Sequence, residues 1–183
     1  IYTYENTNLI STIPSPLNQP NGICFDNAYA NLYVTNILSV NIVSINLSTM
    51  NVTLIDDTIT PILITSDNSN NLFVSSQIPD TIYKYNLSTS PATRTIFSND
   101  IVLNLPRVVA WDNNYQYLYV TNSSGLPLLQ FEVSTTTQEG ILSNTYDNSI
   151  FNEPRGICFN DHNDLLVSNY GGTGTIYKMT VKN

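Results

Sequence analysis

Two arginines stand in matching surroundings, in Pro106-Arg107 and Pro154-Arg155. The chain has only six Lys and Arg among 183 residues, so two at one motif position are its clearest chemical signal. A guanidinium pair can hold a carboxylate or a sulfate through bidentate hydrogen bonds. Each arginine could equally satisfy a neighbouring acid or carbonyl. Asn21 occupies the same position after Pro20, while Asn36, Asn122 and Asn169 recur at the end of a second motif, the last followed by Tyr170. Arg107, Arg155, Asn21, Asn36, Asn122, Asn169 and Tyr170 therefore form the candidate binding set.

Catalytic chemistry is poorly supplied. The single histidine, His162, lies within Asn160-Asp161-His162-Asn163-Asp164, a turn composition, and a zinc site wants three or four converging Cys, His, Asp or Glu ligands. With one histidine in a turn, no base is placed for a Ser-His-Asp triad. Calcium accepts the Asp, Asn and carbonyl oxygens offered around Asp67 and Asp161, but neither stretch follows an EF-hand spacing. No catalytic residue, metal ligand or cofactor is expected. Gly171, Gly172 and Gly174 form a glycine-rich loop, yet no helix start follows to cradle a phosphate. Cys24 and Cys158 are too few for a disulfide framework and lack metal-ligand spacing; both are expected to be buried strand thiols.

Fourteen Asp and Glu against six Lys and Arg leave a net charge of -8. That balance opposes nucleic-acid binding, which draws its affinity from cationic contacts to phosphate. No apolar run reaches the roughly 18 residues that span a bilayer. The first residue is Ile and no basic-then-apolar leader precedes the first motif, which points to a processed or partial chain.

These residues must be positioned by a repeat. Pro20-Asn21-Gly22-Ile23-Cys24-Phe25-Asp26 returns as Pro154-Arg155-Gly156-Ile157-Cys158-Phe159-Asn160, with weaker copies beginning at Pro61 and Pro106. The four prolines are 41, 45 and 48 residues apart. Each copy is followed by a second apolar run (Leu32–Asn36, Leu72–Ser76, Leu118–Asn122, Leu165–Asn169), then a third and a weaker fourth. The runs are short, rich in Ile, Val, Tyr and Thr, and bounded by Asn, Asp, Ser, Gly or Pro, and none keeps a 3.6-residue period. Four antiparallel strands per repeat of about 40–45 residues is a propeller blade. The chain thus reads as an all-β, single-domain propeller of four four-stranded blades. The repeats are approximately 14–58, 59–101, 102–148 and 149–183, with 1–13 supplying a strand that closes the last blade.

The pattern Pro-x-Gly-Ile-x-Phe-Asp, then Leu-Tyr-Val-Thr-Asn, then Ile-x-x-Ile resembles the NHL repeat and the related YVTN-type propeller repeat. The resemblance covers nearly the whole chain, although Leu63 and Val108 replace the glycine in the middle copies. It implies a pore-mouth face built from the loops entering the first strand and joining the second to the third, where the candidate set falls. Such propellers usually carry six blades. Four blades either close on themselves, form an arc cut from a longer propeller, or are completed by another chain, so an oligomer is expected if the arc does not close.

The expected function is a non-enzymatic binding or structural module that recognises a protein, peptide or glycan. The alternative is a lactonase-like or lyase-like metal-dependent hydrolase with a channel site, which the apolar innermost strands disfavour. Sequons at Asn46, Asn51, Asn86 and Asn122, together with the low charge, point weakly to an extracellular or particle-surface location.

Overall fold

The computed structural model describes residues 2–5, 8–12, 17–147, 150–171 and 174–180, the first two segments as backbone only. All of its regular structure is β-strand. Strands β1 (Tyr2–Glu5) and β2 (Asn8–Thr12) pair with one another. Then come β3 (Pro20–Phe25), β4 (Asn31–Asn36), β5 (Asn41–Asn46) and β6 (Val52–Asp56), an antiparallel sheet in chain order. The second sheet holds β7 (Pro61–Ser66), β8 (Asn71–Gln77), β9 (Asp80–Asn86) and β10 (Thr93–Ser98). The third holds β11 (Pro106–Trp111), β12 (Tyr117–Asn122), β13 (Leu128–Val133) and β14 (Gly140–Tyr146). The fourth holds β15 (Pro154–Phe159), β16 (Asp164–Asn169) and β17 (Ile176–Thr180).

These sheets are the four blades of a β-propeller. The innermost strands meet in sequence, β3 against β7, β7 against β11, and β11 against β15. Among the described residues the fourth blade ends at β17, while β1 and β2 form a separate two-stranded sheet. The N-terminal strand expected to close the last blade lies in this two-stranded sheet among the described residues. A short connection costs far less closure entropy than a link across the whole chain.

Three of the four core clusters lie between blades, and the fourth, Leu32, Val34, Val43 and Ile45, covers one face of the first blade. Tyr33 and Ile42 of the first blade meet Ile64, Leu72, Val74, Tyr83 and Tyr85 of the second. Phe73, Ile82 and Phe97 of the second meet Val109, Trp111, Leu118 and Phe131 of the third. Tyr119 and Leu128 of the third meet Phe151, Leu165 and Val167 of the fourth. Neighbouring residues of a strand point to opposite faces, so Leu72 and Phe73 serve different interfaces. This explains why the second strands are continuously apolar and do not alternate.

A hydroxyl clasp repeats across the interfaces. Thr35 Oγ1 accepts the Gly22 amide and donates to Ile62 O of the next blade, both at 2.9 Å. Ser75 Oγ accepts the Leu63 amide at 3.1 Å and donates to Arg107 O of the following blade. Each such bond contributes about 1 kcal/mol net. It also satisfies backbone groups freed where the inner-strand register shifts just after its proline.

At the opposite end of each blade a carboxyl or amide organises the turn from first to second strand. Asp26, Asp67 and Asp112 accept backbone amides through Oδ1, for example Asn71 N to Asp67 at 2.9 Å and Tyr117 N to Asp112 at 2.9 Å. Asn160 does the same for His162 and Asp164. The positive-φ position of these turns is Asn70 and Asn163 in two blades, as Asn tolerates it, but Tyr29 and Tyr115 in the others.

One ion pair crosses the first interface. Arg94 Nη1 lies 2.6 Å from Asp56 Oδ2, which also accepts the Tyr85 hydroxyl at 2.8 Å. Burial alone would raise the Asp56 carboxyl, but hydrogen bonds from Thr58 and Tyr85 and the Arg94 charge outweigh it and hold the group below the ordinary carboxylate range. A depressed folded-state value means the stabilisation is complete above the unfolded carboxylate value, about pH 4, and is lost as pH falls through the folded-state value. Asp56→Asn is expected to lower stability at neutral pH and to flatten the acid-side decline. Melting temperatures of both proteins between about pH 6 and pH 2 check this, and parallel curves would refute it.

Candidate functional site

In the first, third and fourth blades a backbone tie joins the entering loop to the loop after the second strand. Ile37 N donates to Gln19 O at 3.1 Å, Ser123 N to Leu105 O at 3.0 Å, and Tyr170 N to Glu153 O at 3.0 Å. In the fourth blade Gly171 N adds a bond to Asn152 O at 3.0 Å. A Cβ at Gly171 would stand 2.5 Å from Asn152 Cγ, so this glycine serves close loop approach. Gly174 adopts φ 64, and Gly172 lies outside the described residues.

Arg107 and Arg155 are aimed by the register shift that follows each inner-strand proline. An irregularity of this kind re-aims side chains that regular pairing would direct into a sheet face. Both arginines line one cavity of about 180 Å³ between the third and fourth blades, with Ser123, Glu153 and Pro154. A second cavity of about 420 Å³, lined by Ser123, Ser124, Gly125, Asn152 and Glu153 among others, shares two of these residues.

The two guanidinium groups are held differently. Arg155 lies over the Tyr170 ring with Cζ 3.7 Å from its centroid, a cation–π geometry. Its ion pair to Glu153, 3.3 Å between two half-exposed side chains, contributes little in water. Arg107 donates from Nε to Ser123 Oγ, and among the described residues no carboxylate lies within ion-pairing distance of it. Arg107 thus lines the cavity with its charge unmatched by a carboxylate among the described residues, which suits it to an anion.

The asparagines play another part. Asn122 is 1% exposed, donates to Val102 O and Leu126 O, and accepts the Asn104 amide. Its sequon nitrogen is thus engaged inside the fold. Asn36 donates to Asn41 Oδ1 at 2.8 Å and Asn169 to Ile150 O at 3.4 Å, both from buried positions. Asn21 ties the first blade to Ile62 O of the second at 2.9 Å. Of the candidate set, the structure brings Arg107, Arg155 and Tyr170 together and uses the four asparagines to brace the loops and blades. Ser123 and Glu153 escaped the sequence reading, because their approach to the arginines follows from loop ties and not from a motif.

The two cysteines diverge. Cys24 packs against the core between the first and second blades, and burial pushes its thiol up to about 12, which keeps it protonated and inert. Cys158, in the same position of the fourth repeat, is exposed. The expectation of two buried thiols is corrected there, since no later blade covers that face of β15 among the described residues. His162 is exposed on its turn, at the end opposite the arginines. Among the described residues no group of three or more His, Cys, Asp or Glu is placed to hold a metal ion. No helix of the described residues is long and apolar enough to cross a membrane.

No family model and no curated protein sequence matches the chain. Solved structures do. The chain is similar to one in a nidogen/laminin complex, at TM-score 0.75 and 18% identity over 98% of this chain and 69% of that one. It is also similar to a putative 6-phosphogluconolactonase from Bacteroides uniformis ATCC 8492, at TM-score 0.70, 13% identity, and 87% and 50% coverage. A third is the virginiamycin B lyase from Staphylococcus aureus, at TM-score 0.66, 16% identity, and 93% and 58% coverage. The chain therefore spans from half to about two thirds of the length of these structures. At such identities the likeness establishes the propeller fold and leaves function to the site.

Proposed function

We propose that this chain is a non-enzymatic binding module, an NHL/YVTN-type propeller whose loop end recognises an acidic group on a protein or peptide partner. The observation that carries this reading is the convergence of Arg107 and Arg155 on one cavity, with Arg155 fixed on Tyr170 and Arg107 free of any carboxylate among the described residues. Two forks from successive blades suit a carboxylate approached from the loop end. The adjoining cavity, lined by hydroxyls and amides, offers neutral hydrogen bonds to the backbone that carries it. In a chain of net charge -8, a local cationic spot also supplies specificity, because basic partners are repelled from it and acidic ones are not. Binding partners are consistent with a nidogen/laminin complex among the similar structures, a likeness of fold that lends support without naming this chain's partner.

The test is a binding screen of immobilised short peptides rich in Asp and Glu against their Asn and Gln counterparts. Acidic peptides are expected to bind in a salt-sensitive manner. Arg107→Ala is expected to lose about 2 kcal/mol of binding, roughly thirtyfold, with the fold intact. Arg107→Lys should recover only part of it, because an ammonium cannot present the bidentate fork. Equal retention of the acidic and amide peptides, or undiminished binding by Arg107→Ala, would rule the reading out.

A further inference from the structure

The four sequons meet different surroundings, although two of them are copies of one motif. Asn46-Leu47-Ser48 and Asn86-Leu87-Ser88 each begin at the last residue of a third strand. The turn that follows is tied to the turn between first and second strands, with Leu47 N donating to Ala30 O at 2.9 Å and Leu87 N to Asn70 O at 3.0 Å. Both copies therefore stand at the end of the blades opposite Arg107 and Arg155.

The side-chain amides separate the sequons. Asn46 donates from Nδ2 to Asn31 Oδ1 at 3.3 Å, and its Oδ1 accepts the amides and hydroxyls of Ser48 and Thr49. Asn122 is buried, with Nδ2 given to two carbonyls. Asn86 is exposed, and its side chain only accepts the Ser88 amide on Oδ1 at 2.8 Å. Asn51, just before the first blade's fourth strand, is exposed, as is Thr53 of the same sequon. Among the described residues the Nδ2 groups of Asn51 and Asn86 have no hydrogen-bond partner.

A second observation ties these two sequons together. A groove of about 460 Å³ runs between the first and second blades, lined by Tyr33, Thr53, Leu54, Ile55, Leu87 and Pro91 among others. Thr53 belongs to the Asn51 sequon and Leu87 to the Asn86 sequon, so each contributes a wall. Leu54 is 53% exposed, and apolar surface gathered in one place marks a contact. An N-acetylglucosamine ring, with an apolar C–H face and an acetyl methyl, covers such surface while its hydroxyls stay in water.

We propose that Asn51 and Asn86 are attachment sites for N-linked glycans, whose first sugars lie over this groove. Attachment joins Nδ2 to C1 of the sugar and breaks the C1–oxygen bond of a lipid-diphosphate-linked oligosaccharide. The lipid diphosphate and one amide proton leave. An exposed Nδ2 without an internal partner carries the sugar in the folded chain with no hydrogen bond lost. At Asn122 the same bond forfeits one of two buried hydrogen bonds and forces a sugar into the interior, and at Asn46 it displaces the contact to Asn31. The arginine cavity, at the other end of the blades, stays uncovered.

The test is secretion of the whole chain from a eukaryotic cell behind a cleaved signal peptide. Enzymatic glycan release in heavy-oxygen water marks each occupied asparagine for peptide mapping by mass spectrometry. Asn51 and Asn86 are expected to carry the mark, and Asn46 and Asn122 are not. Asn51→Gln and Asn86→Gln are each expected to remove one glycan's mass from the protein. Thr53→Ala is expected to match Asn51→Gln, because the sequon hydroxyl is lost while the asparagine remains. In NMR spectra of the secreted chain, a sugar acetyl methyl is expected to show Overhauser contacts to the Leu54 or Leu87 methyls. The proposal is overturned if Asn51 or Asn86 is unmarked, if Asn46 or Asn122 is marked as fully as they are, or if no acetyl methyl approaches the groove. Should a variant fail to fold, the map of the unaltered chain decides.

Discussion

Phe73→Ala is expected to destabilise the fold by about 3–5 kcal/mol, the range for deleting a buried aromatic ring. Phe73 is 2% exposed and sits at the centre of the interface between the second and third blades. Its ring meets Phe97 edge-on at 5.0 Å and Trp111 at 4.8 Å, close to perpendicular in both cases. Such pairs add about 0.5–1.5 kcal/mol each beyond the area they bury. The neighbouring blades are held by backbone pairing within their own sheets, so the cavity cannot close without sliding one sheet across another. Urea unfolding followed by Trp111 fluorescence measures the loss directly, and the same probe reports whether the interface loosens before the sheets unfold. A loss below about 1.5 kcal/mol would mean that the blades are not packed as described.

Gly22→Ala is expected to cost about 1–3 kcal/mol or more, whereas Gly156→Ala at the matching position should be close to neutral. A Cβ on Gly22 would stand 2.9 Å from Ile64 N, Leu63 Cα and Thr35 Oγ1. Two of these atoms are backbone of the next blade, which can retreat only by opening the clasp that Thr35 makes to Ile62. A Cβ on Gly156 meets only the Ser168 side chain, at 2.8 Å from Oγ, and a serine hydroxyl can rotate away. The two substitutions are identical in chemistry and nearly so in local sequence, so a comparison of their melting temperatures reads chiefly the tertiary contribution. Equal losses would show that the glycine answers to its own strand and not to the blade beyond it.

The arginine cavity joins these structural features to function. The register shift at Arg107 is one whose backbone hydroxyls satisfy, Ser75 Oγ donating to Arg107 O and Thr121 Oγ1 accepting the Val108 amide. Side chains that build a blade interface and side chains that face a partner are therefore adjacent in sequence. A substitution such as Arg107→Ala removes the second kind while leaving the carbonyl of residue 107 to its clasp.

Much of this architecture was legible in the order of residues. The recurrence of Pro20, Pro61, Pro106 and Pro154, with strand-forming runs at fixed places between them, is a local pattern. Hydrogen bonding within a blade joins segments a few residues apart, so local pattern and blade coincide. The unbroken apolar character of Leu32–Val34 or Leu72–Val74 even announced that both sheet faces would be covered, since a strand with one wet face must alternate. The pairing of Arg107 with Arg155 on one face was likewise readable, because equivalent positions of successive blades must point the same way.

What the tertiary structure alone decided is which copy of a repeated residue has a neighbour. Cys24 and Cys158, or Gly22 and Gly156, stand in nearly the same heptapeptide, yet one of each pair is pressed against a following blade and the other is not. The same holds for Ser123 and Glu153, which reach the arginines through loops tied across the blade end. For the cysteines and glycines the decisive contact lies across a blade interface, some 40 residues along the chain, and for Ser123 and Glu153 in loops whose course depends on their ties. A repeat specifies the blade, and packing against the next blade, which no single copy encodes, specifies the environment of each residue within it.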